Sequence, residues 1–292
     1  MREGDDMTLH PPLPDLLIEP LLRAALLEDL GAGGDVTSRA VIPPGTVATA
    51  CLNAREGGVV SGMQVAALAF RLVDPALRVT IHRPDGSACG PGDRLLEVSG
   101  DAASILAAER VALNFAGRLS GIATLTARCV AEAQGTRARI TCTRKTTPGL
   151  RLLEKQAVLH GGGYNHRASL SDMVLIKDNH IAAAGGIRPV LMAVSARLSH
   201  ALRVEIEVDS LAQLEEVLAV GGADAVLLDN MDEAMLREAV RMVAGRMTTE
   251  ASGNMRPGRI AAVAATGVDY ISVGALTHSA GTLDLGLDIL TG

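Results

Sequence analysis

VEIEVDSLAQLEEVLAVGGADAVLLD, residues 204–229, reads as one strand, one helix and a second strand. VEIEV is β-branched and short, Ser210 stands where a helix N-cap belongs, and Gly221 stands where that helix should stop. AVLL (225–228) then restarts the apolar run, and Asp232 can cap a second helix ending near Gly245. Working outward, the same rhythm recurs in ARITC (138–142), MVLI (173–176), TTEA (248–251) and YISV (270–273), with Pro257 expected to open a helix ending near Gly267. The positions just past the later strands, Asp229, Ser252 and Gly274, fall 23 and 22 residues apart. Strand–helix units at that period require a parallel sheet with helical crossovers. No GxGxxG follows a strand and no GxxxxGK[ST] occurs, which disfavours a dinucleotide or P-loop sheet and favours a β/α barrel.

The chain before residue 136 is organised differently. LLIEPLLRAALLEDL (16–30) has the pattern of an amphipathic helix started by Pro20 or just before it, and GAGGDVTS follows as a glycine-rich loop. Residues 46–56 and 77–98 look like short antiparallel strands, with turns at Asp85-Gly86 and Pro91-Gly92-Asp93. An Ala-rich helical stretch covers 102–134. This part is α+β.

Composition removes several classes of function. With 48% hydrophobic and 21% charged residues, the 292-residue chain is that of a globular protein able to bury a large core. Aromatics are 1% with no Trp, so Ala, Leu and Val must build the interior, and there is no stacking platform for single-stranded nucleic acid. A net charge of −6 gives no footprint for DNA or anionic membranes. Cys51, Cys89, Cys129 and Cys142 are scattered without a CxxC, as in a reduced, cytoplasmic protein. MREGDDMTLHPPLP is acidic and proline-rich, which is expected of a lead-in rather than a signal peptide. No apolar run is long enough to span a bilayer.

Residues 143–177 carry Arg144, Lys145, Arg151, Lys155, Arg167 and Lys177 against Glu154 and Asp172, inside an acidic chain. These cations gather at turn signals: beside Pro148-Gly149, after Gly161-Gly162-Gly163, and after the 173–176 run. Cations held on loops suit a small anion better than a solvated helix face does. Polar residues also end the expected barrel strands: Arg144-Lys145, Lys177, Asp229, Ser252-Gly253-Asn254 and Gly274-Ala275, with Glu207 interrupting its strand. In a β/α barrel all these ends meet at one mouth. Glu207 and Asp229 could there hold Mg²⁺ or sugar hydroxyls; the alternatives are a structural salt bridge for Glu207 and a helix cap for Asp229. The Ser252 and Val273-Gly274-Ala275 loops stand where barrels bind phosphate, or are ordinary turns. Arg110 rises from an apolar helical arc (Ala103, Leu106, Ala107, Leu113, Gly117), so it either snorkels or reaches another subunit's site. His160 and His180 lack metal-ligand spacing and read as structural.

TRKTTPGLR (143–151), EKQAV (154–158), GGGYNHR (161–167) and LIKDNHI (175–181) resemble the signature run of the quinolinate phosphoribosyltransferases. The likeness extends to GGDVTS (33–38), AERVALNFAGRLSGIAT (108–124), EIEVDS (205–210), LLDN (227–230), SGN and VGALTH, and so to nearly the whole chain beyond residue 15.

The resemblance implies an N-terminal α/β sandwich domain over 15–125, joined by the tail 280–292, and an open β/α barrel of about seven strands over 126–279, with 1–14 as a lead-in. It implies phosphoribosyl transfer from phosphoribosyl pyrophosphate to quinolinate with decarboxylation, giving nicotinate mononucleotide for NAD biosynthesis. By position, Thr143, Arg144, Lys145, His166, Arg167 and Lys177 would bind quinolinate, with Arg110 supplied by the other subunit of a homodimer. Glu207 and Asp229 would serve the ribose and Mg²⁺, held directly or through the substrate, and Ser252, Gly253, Asn254, Val273, Gly274 and Ala275 the phosphate. Lys145, Lys177, Glu207 and Asp229 are the expected catalytic set, and no organic cofactor is implied. Three rivals remain open from the residues alone: a related transferase with another acceptor, a Schiff-base lyase using Lys177, and a non-catalytic binding protein.

Overall fold

The computed structural model describes residues 11–290; the first ten residues of the expected lead-in lie outside the described residues. Contacts divide the chain into two compact units. One comprises the chain up to Thr124 with Leu159–Gly162 and the segment from Ala280; the other comprises Leu125–Val158 and Gly163–Ser279.

The first unit runs α1 (Asp15–Leu30), α2 (Val36–Val41), β1 (Val47–Ala54), β2 (Gly58–Val59), α3 (Met63–Val73), β3 (Arg78–Ile81), β4 (Ala88–Cys89) and β5 (Arg94–Asp101), and enters α4 (Ala102–Glu132). Helix α1 starts at Asp15 and takes Pro20 inside it, rather than starting there. Ile18, Leu22 and Leu26, one buried stripe at every fourth residue, anchor it in spite of the missing proline N–H. Asp35 caps α2 by accepting the Ser38 N–H at 3.0 Å, and Asp85 accepts the first N–H of α3, from Met63, at 2.8 Å. β1 pairs antiparallel with β5, and β5 with β3. Phe70, Leu52, Leu96 and Ile105 are fully buried among small Ala side chains, as an aromatic-poor sequence requires.

The second unit continues with β6 (Arg139–Thr141), α5 (Arg151–His160), β7 (Val174–Ile176), α6 (Asp178–Ala184), α7 (Ile187–Arg197), β8 (Val204–Val208), α8 (Leu211–Val220), β9 (Ala225–Asp229), α9 (Glu233–Val243), β10 (Thr248–Ser252), α10 (Ile260–Ala264), β11 (Tyr270–Ser272) and α11 (Ala275–His278). Beyond it β12 (Leu285–Ile289) pairs antiparallel with β1, so the tail completes the first unit's sheet in the order β12-β1-β5-β3. The six strands β6-β11-β10-β9-β8-β7 form one parallel sheet. β6 and β7 stand at its two edges and do not pair, so the barrel is open, with six strands among the described residues rather than about seven. On its free side β6 carries, among the described residues, one isolated parallel bridge, Thr141 to Tyr164. Further on, the Ala168 and Ser169 N–H groups are taken by Asp172 Oδ2 instead of a strand neighbour.

Ser210 and Asp232 cap α8 and α9 as expected, accepting from Gln213 N at 3.4 Å and Met235 N at 2.8 Å. Pro257 does not open a helix: Gly258 takes φ +88°, which an α-helix cannot contain, and α10 begins only at Ile260. The Gly258 N–H is held instead by the Glu132 carboxylate at 2.8 and 2.9 Å.

Candidate active site

Strand register decides which side chains meet at the C-terminal end of the sheet. Glu205 stands opposite Ala225, Glu207 opposite Leu227, Leu227 opposite Glu250, and Asp229 opposite Ser252. Because side chains alternate along a strand, these residues share one face, Glu207 and Glu250 flanking Leu227 in one layer with Asp229 and Ser252 above. Glu207, Leu227, Asp229, Glu250 and Ser252 open into a cavity of about 1000 Å³ whose lining comes entirely from the second unit.

One wall is cationic. Arg144, Lys145, Arg167 and Lys177 all line it. The Nε of Arg144 is buried with no hydrogen-bond partner among the described residues, a donor left for something the protein does not supply. Arg167 donates from Nη1 to the Met173 carbonyl at 3.1 Å; burial and then the neighbouring Arg144 pull its pKa down. Lys145 is exposed, on a turn in which Thr143 Oγ1 accepts its backbone N–H at 3.0 Å, and its carbonyl accepts from Thr277 Oγ1 at 2.8 Å. The Lys177 ammonium donates to Glu207 Oε2, so the salt-bridge alternative for Glu207 is realised here.

Asp229, Ser252, Gly253, Asn254, Gly274 and Ala275 also line the cavity, Gly274 directly beside Lys145. Asp229 caps no helix, because Asp232 does so, and its Oδ2 accepts from Asn230 Nδ2 at 2.6 Å. Gly253 has φ +98°, and a Cβ there would sit 2.8 Å from the Asn230 nitrogen, so this loop tolerates only glycine. Val273 departs from expectation. It is wholly buried, outside the lining, and its N–H donates to the Thr141 carbonyl at 2.9 Å, which extends the β11–β6 ladder and leaves that amide unavailable to a phosphate.

His166 lines the cavity with both ring nitrogens engaged: Nε2 lies 3.0 Å from Glu205 Oε2, and the Arg167 N–H donates to Nδ1 at 2.8 Å. In this arrangement neither ring nitrogen faces an incoming anion. Burial disfavours charge on the ring, but the Glu205 hydrogen bond and the Glu250 and Glu205 charges outweigh it and hold the His166 pKa above its usual value. Glu250, whose Oε1 lies 3.7 Å from Nε2 and accepts no hydrogen bond among the described residues, has its carboxyl pushed up to about 8 by burial followed by repulsion from Glu205. His166, Glu205 and Glu250 are the donor cluster that could hold a metal ion among the described residues, their ligand atoms within 4.8 Å of one another.

Sequence reasoning missed Glu205 and Glu250; Lys155, counted among the clustered cations but given no site role, is buried and donates to the His166 carbonyl at 2.7 Å. The signal was available: Glu205 and Glu250 each lie two residues before an expected site residue, on the same strand face. Asn230, Arg256 and His278 also line the cavity without having been singled out. His180 lines it with Nδ1 accepting the Lys177 N–H at 2.9 Å, and His160, in the first unit, sits 2.8 Å from Ser61 Oγ. Arg110 lies on α4 in the first unit, exposed and with no side-chain partner among the described residues.

The chain matches the family model for the quinolinate phosphoribosyl transferase C-terminal domain over residues 122–288, and that for the N-terminal domain over 35–120. It belongs to the quinolinate phosphoribosyltransferase family. Among its relatives, quinolinate phosphoribosyltransferase [decarboxylating] 2a, mitochondrial, of Nicotiana tabacum is 43% identical over 98% of this chain and 86% of that protein. Nicotinate-nucleotide pyrophosphorylase [carboxylating] of Mycobacterium leprae is 45% identical over 92% and 95%. The crystal structure of NadC from Streptococcus pyogenes superposes with a TM-score of 0.91 at 41% identity, covering 96% of this chain and all of that one. Family membership thus covers both units, and the cationic wall falls within the C-terminal match.

Proposed function

We infer that this chain is a carboxylating nicotinate-nucleotide pyrophosphorylase. It transfers the phosphoribosyl group of phosphoribosyl pyrophosphate to quinolinate and releases pyrophosphate and CO₂, in NAD biosynthesis. The observation that carries the reading is the cation-lined cavity, with a buried unpartnered Arg144 Nε, facing Asp229 and Glu207 within a chain of this family.

Arg144, Arg167, Lys145 and Lys177 receive the two carboxylates of quinolinate, while Leu175 and Leu227 offer an apolar floor to its ring. The ring nitrogen attacks the anomeric carbon as pyrophosphate leaves, through a state with oxocarbenium character that nearby carboxylates stabilise. Lys177, released from Glu207 by an incoming anion, neutralises negative charge, and Glu207 turns to the ribose hydroxyls. Nitrogen ribosylation leaves the ring positively charged, so the electron pair left at C2 by departing CO₂ is stabilised by the adjacent nitrogen until C2 takes a proton. That self-contained electron sink is why no organic cofactor is invoked.

Mg²⁺ fits the donors present: Asp229 Oδ1 accepts no hydrogen bond among the described residues, and Glu207 stands on the same face one strand away. Such an ion is commonly held by one or two carboxylates and the substrate's phosphates, where it neutralises the charge of the leaving group. The assembly belonging to this reading is a homodimer in which Arg110 completes the site of a second copy, and four free cysteines suit a reducing, cytoplasmic setting. A Schiff-base role for Lys177 is disfavoured, because its ammonium is ion-paired and nearly half exposed rather than desolvated.

The test is CO₂ and pyrophosphate release with quinolinate and with nicotinate as acceptor. Quinolinate should turn over and nicotinate should not, because one carboxylate leaves part of the cationic wall unpaired. Comparable turnover of the two would overturn the assignment.

A further inference from the structure

The N-terminal ends of five of the six strands, β6, β8, β9, β10 and β11, carry a second cavity, of about 730 Å³. Arg137, Arg139, Arg203 and Arg246 line it against two carboxylates, Asp224 and Asp269, each partly committed elsewhere. Asp224 Oδ2 accepts from Val204 N at 2.7 Å; Asp269 Oδ2 accepts from Thr249 N at 2.9 Å and Thr249 Oγ1 at 2.8 Å. Among these four arginines, only Arg137 has a carboxylate partner among the described residues, Asp269 Oδ1 at 3.2 Å. Arg246 donates to the Met242 and Val243 carbonyls, and Arg203 is exposed with no side-chain partner among the described residues. Arg139 lies 4.9 Å from the centre of the Tyr164 ring and reaches the Tyr270 hydroxyl at 3.4 Å. The two tyrosine rings meet edge to face, centroids 6.3 Å apart.

That convergence is out of keeping with the composition. The chain has two Tyr, two Phe and no Trp, yet Tyr270 lines this cavity, and Arg139 beside it in the lining stacks on the other tyrosine, Tyr164. Guanidinium forks without carboxylate partners suit a phosphate, and a Tyr–Arg ledge suits a flat ring. The excess of four guanidinium groups over two carboxylates matches the charge of a phosphate monoester. We propose that this cavity is a second ligand site, separate from the substrate cavity, for a nucleotide whose phosphate meets Arg203 and Arg246 and whose base stacks on the Arg139–Tyr270 ledge. The proposal does not depend on the transfer reaction. β10 links the two cavities, with Thr248 and Thr249 in this one and Glu250 and Ser252 in the other, so a test must tell them apart.

Adenosine 5′-monophosphate titrated calorimetrically into the full chain at low ionic strength is the probe. Saturable binding is expected, weakened at least tenfold in an Arg139→Ala/Arg203→Ala variant and unchanged within twofold in Lys177→Ala, which alters only the substrate cavity. Adenosine and inorganic phosphate should each bind at least tenfold more weakly than the nucleotide. If the double variant fails to fold, Arg203→Gln alone should weaken binding at least threefold. Absence of saturable binding, loss with Lys177→Ala but not with the arginine variants, or equal binding of inorganic phosphate would each overturn the proposal.

Discussion

Glu250 lies inside the second unit beside Glu205 and His166, and its carboxyl is pushed up to about 8 from the ordinary 4.5. Between those values the folded chain keeps a proton that the unfolded chain has released. Its stabilising effect is complete below about 4.5 and is lost as pH rises through 8, at a slope of up to about 1.4 kcal/mol per pH unit for one proton. Glu250→Gln cannot ionise, so its melting temperature should gain on wild type steadily from pH 5 to pH 8; parallel pH profiles would mean that Glu250 is ionised throughout. Gly253 makes a different demand. Its φ of +98° and the Asn230 nitrogen 2.8 Å from a would-be Cβ leave no room for alanine. Gly253→Ala should raise the KM for phosphoribosyl pyrophosphate at least tenfold and lower stability by about 1–3 kcal/mol, whereas Asn254→Gly, at φ +52°, should fold at least as well as wild type. A normal KM in Gly253→Ala would remove this loop from the phosphate's surroundings.

Asp229 and Asp232 stand three residues apart and answer to different elements. Asp232 accepts the Met235 N–H and so begins α9; Asp229 ends β9 with its carboxylate in the cavity. Asp232→Ala should cost about 1 kcal/mol in chemical denaturation and leave turnover of the folded enzyme intact. Asp229→Asn should do the reverse, losing at least a hundredfold in kcat while quinolinate binding measured alone survives. Reversed outcomes for the pair would return Asp229 to a structural role. At this scale much was legible. The Ser210 and Asp232 caps, β1 and all six parallel strands sit within a residue or two of where alternation and turn chemistry put them, while β5 runs three residues past the expected end and β2 and β12 lie outside the segments read as strands. Helix starts at prolines were not. Ring geometry permits Pro20 and Pro257 near a helix start, but the Ile18–Leu22–Leu26 stripe extended one helix past its proline, and the Gly258 conformation delayed the other.

Assembly is the scale at which the Arg110 reading is decided. Arg110→Ala and Lys177→Ala enzymes should each be nearly inactive, and mixing them with verified subunit exchange should restore activity. Half of a statistical mixture is mixed dimers with one complete site each, so the ceiling is about a quarter of wild type. Verified exchange without recovery would place the action of Arg110 within its own chain.

Local chemistry determined the elements of this protein, because caps, glycine stops and strand alternation act over a few residues and are written in order along the chain. It also determined that Arg144, Lys145, Arg167, Lys177, Glu207 and Asp229 belong to one mouth, since every parallel strand ends on the same side. Tertiary structure alone decided what each side chain has left to offer. Glu205 and Glu250 became a buried acid pair because β8 and β10 flank the same strand. The Nε2 of His166 is engaged because Glu205 of that pair lies beside it, and the Val273 N–H is consumed by a sheet partner more than a hundred residues away in sequence. Hydrogen-bond partners and desolvation arise between segments distant along the chain, and a linear reading places residues at a site before it can say which of their atoms remain free.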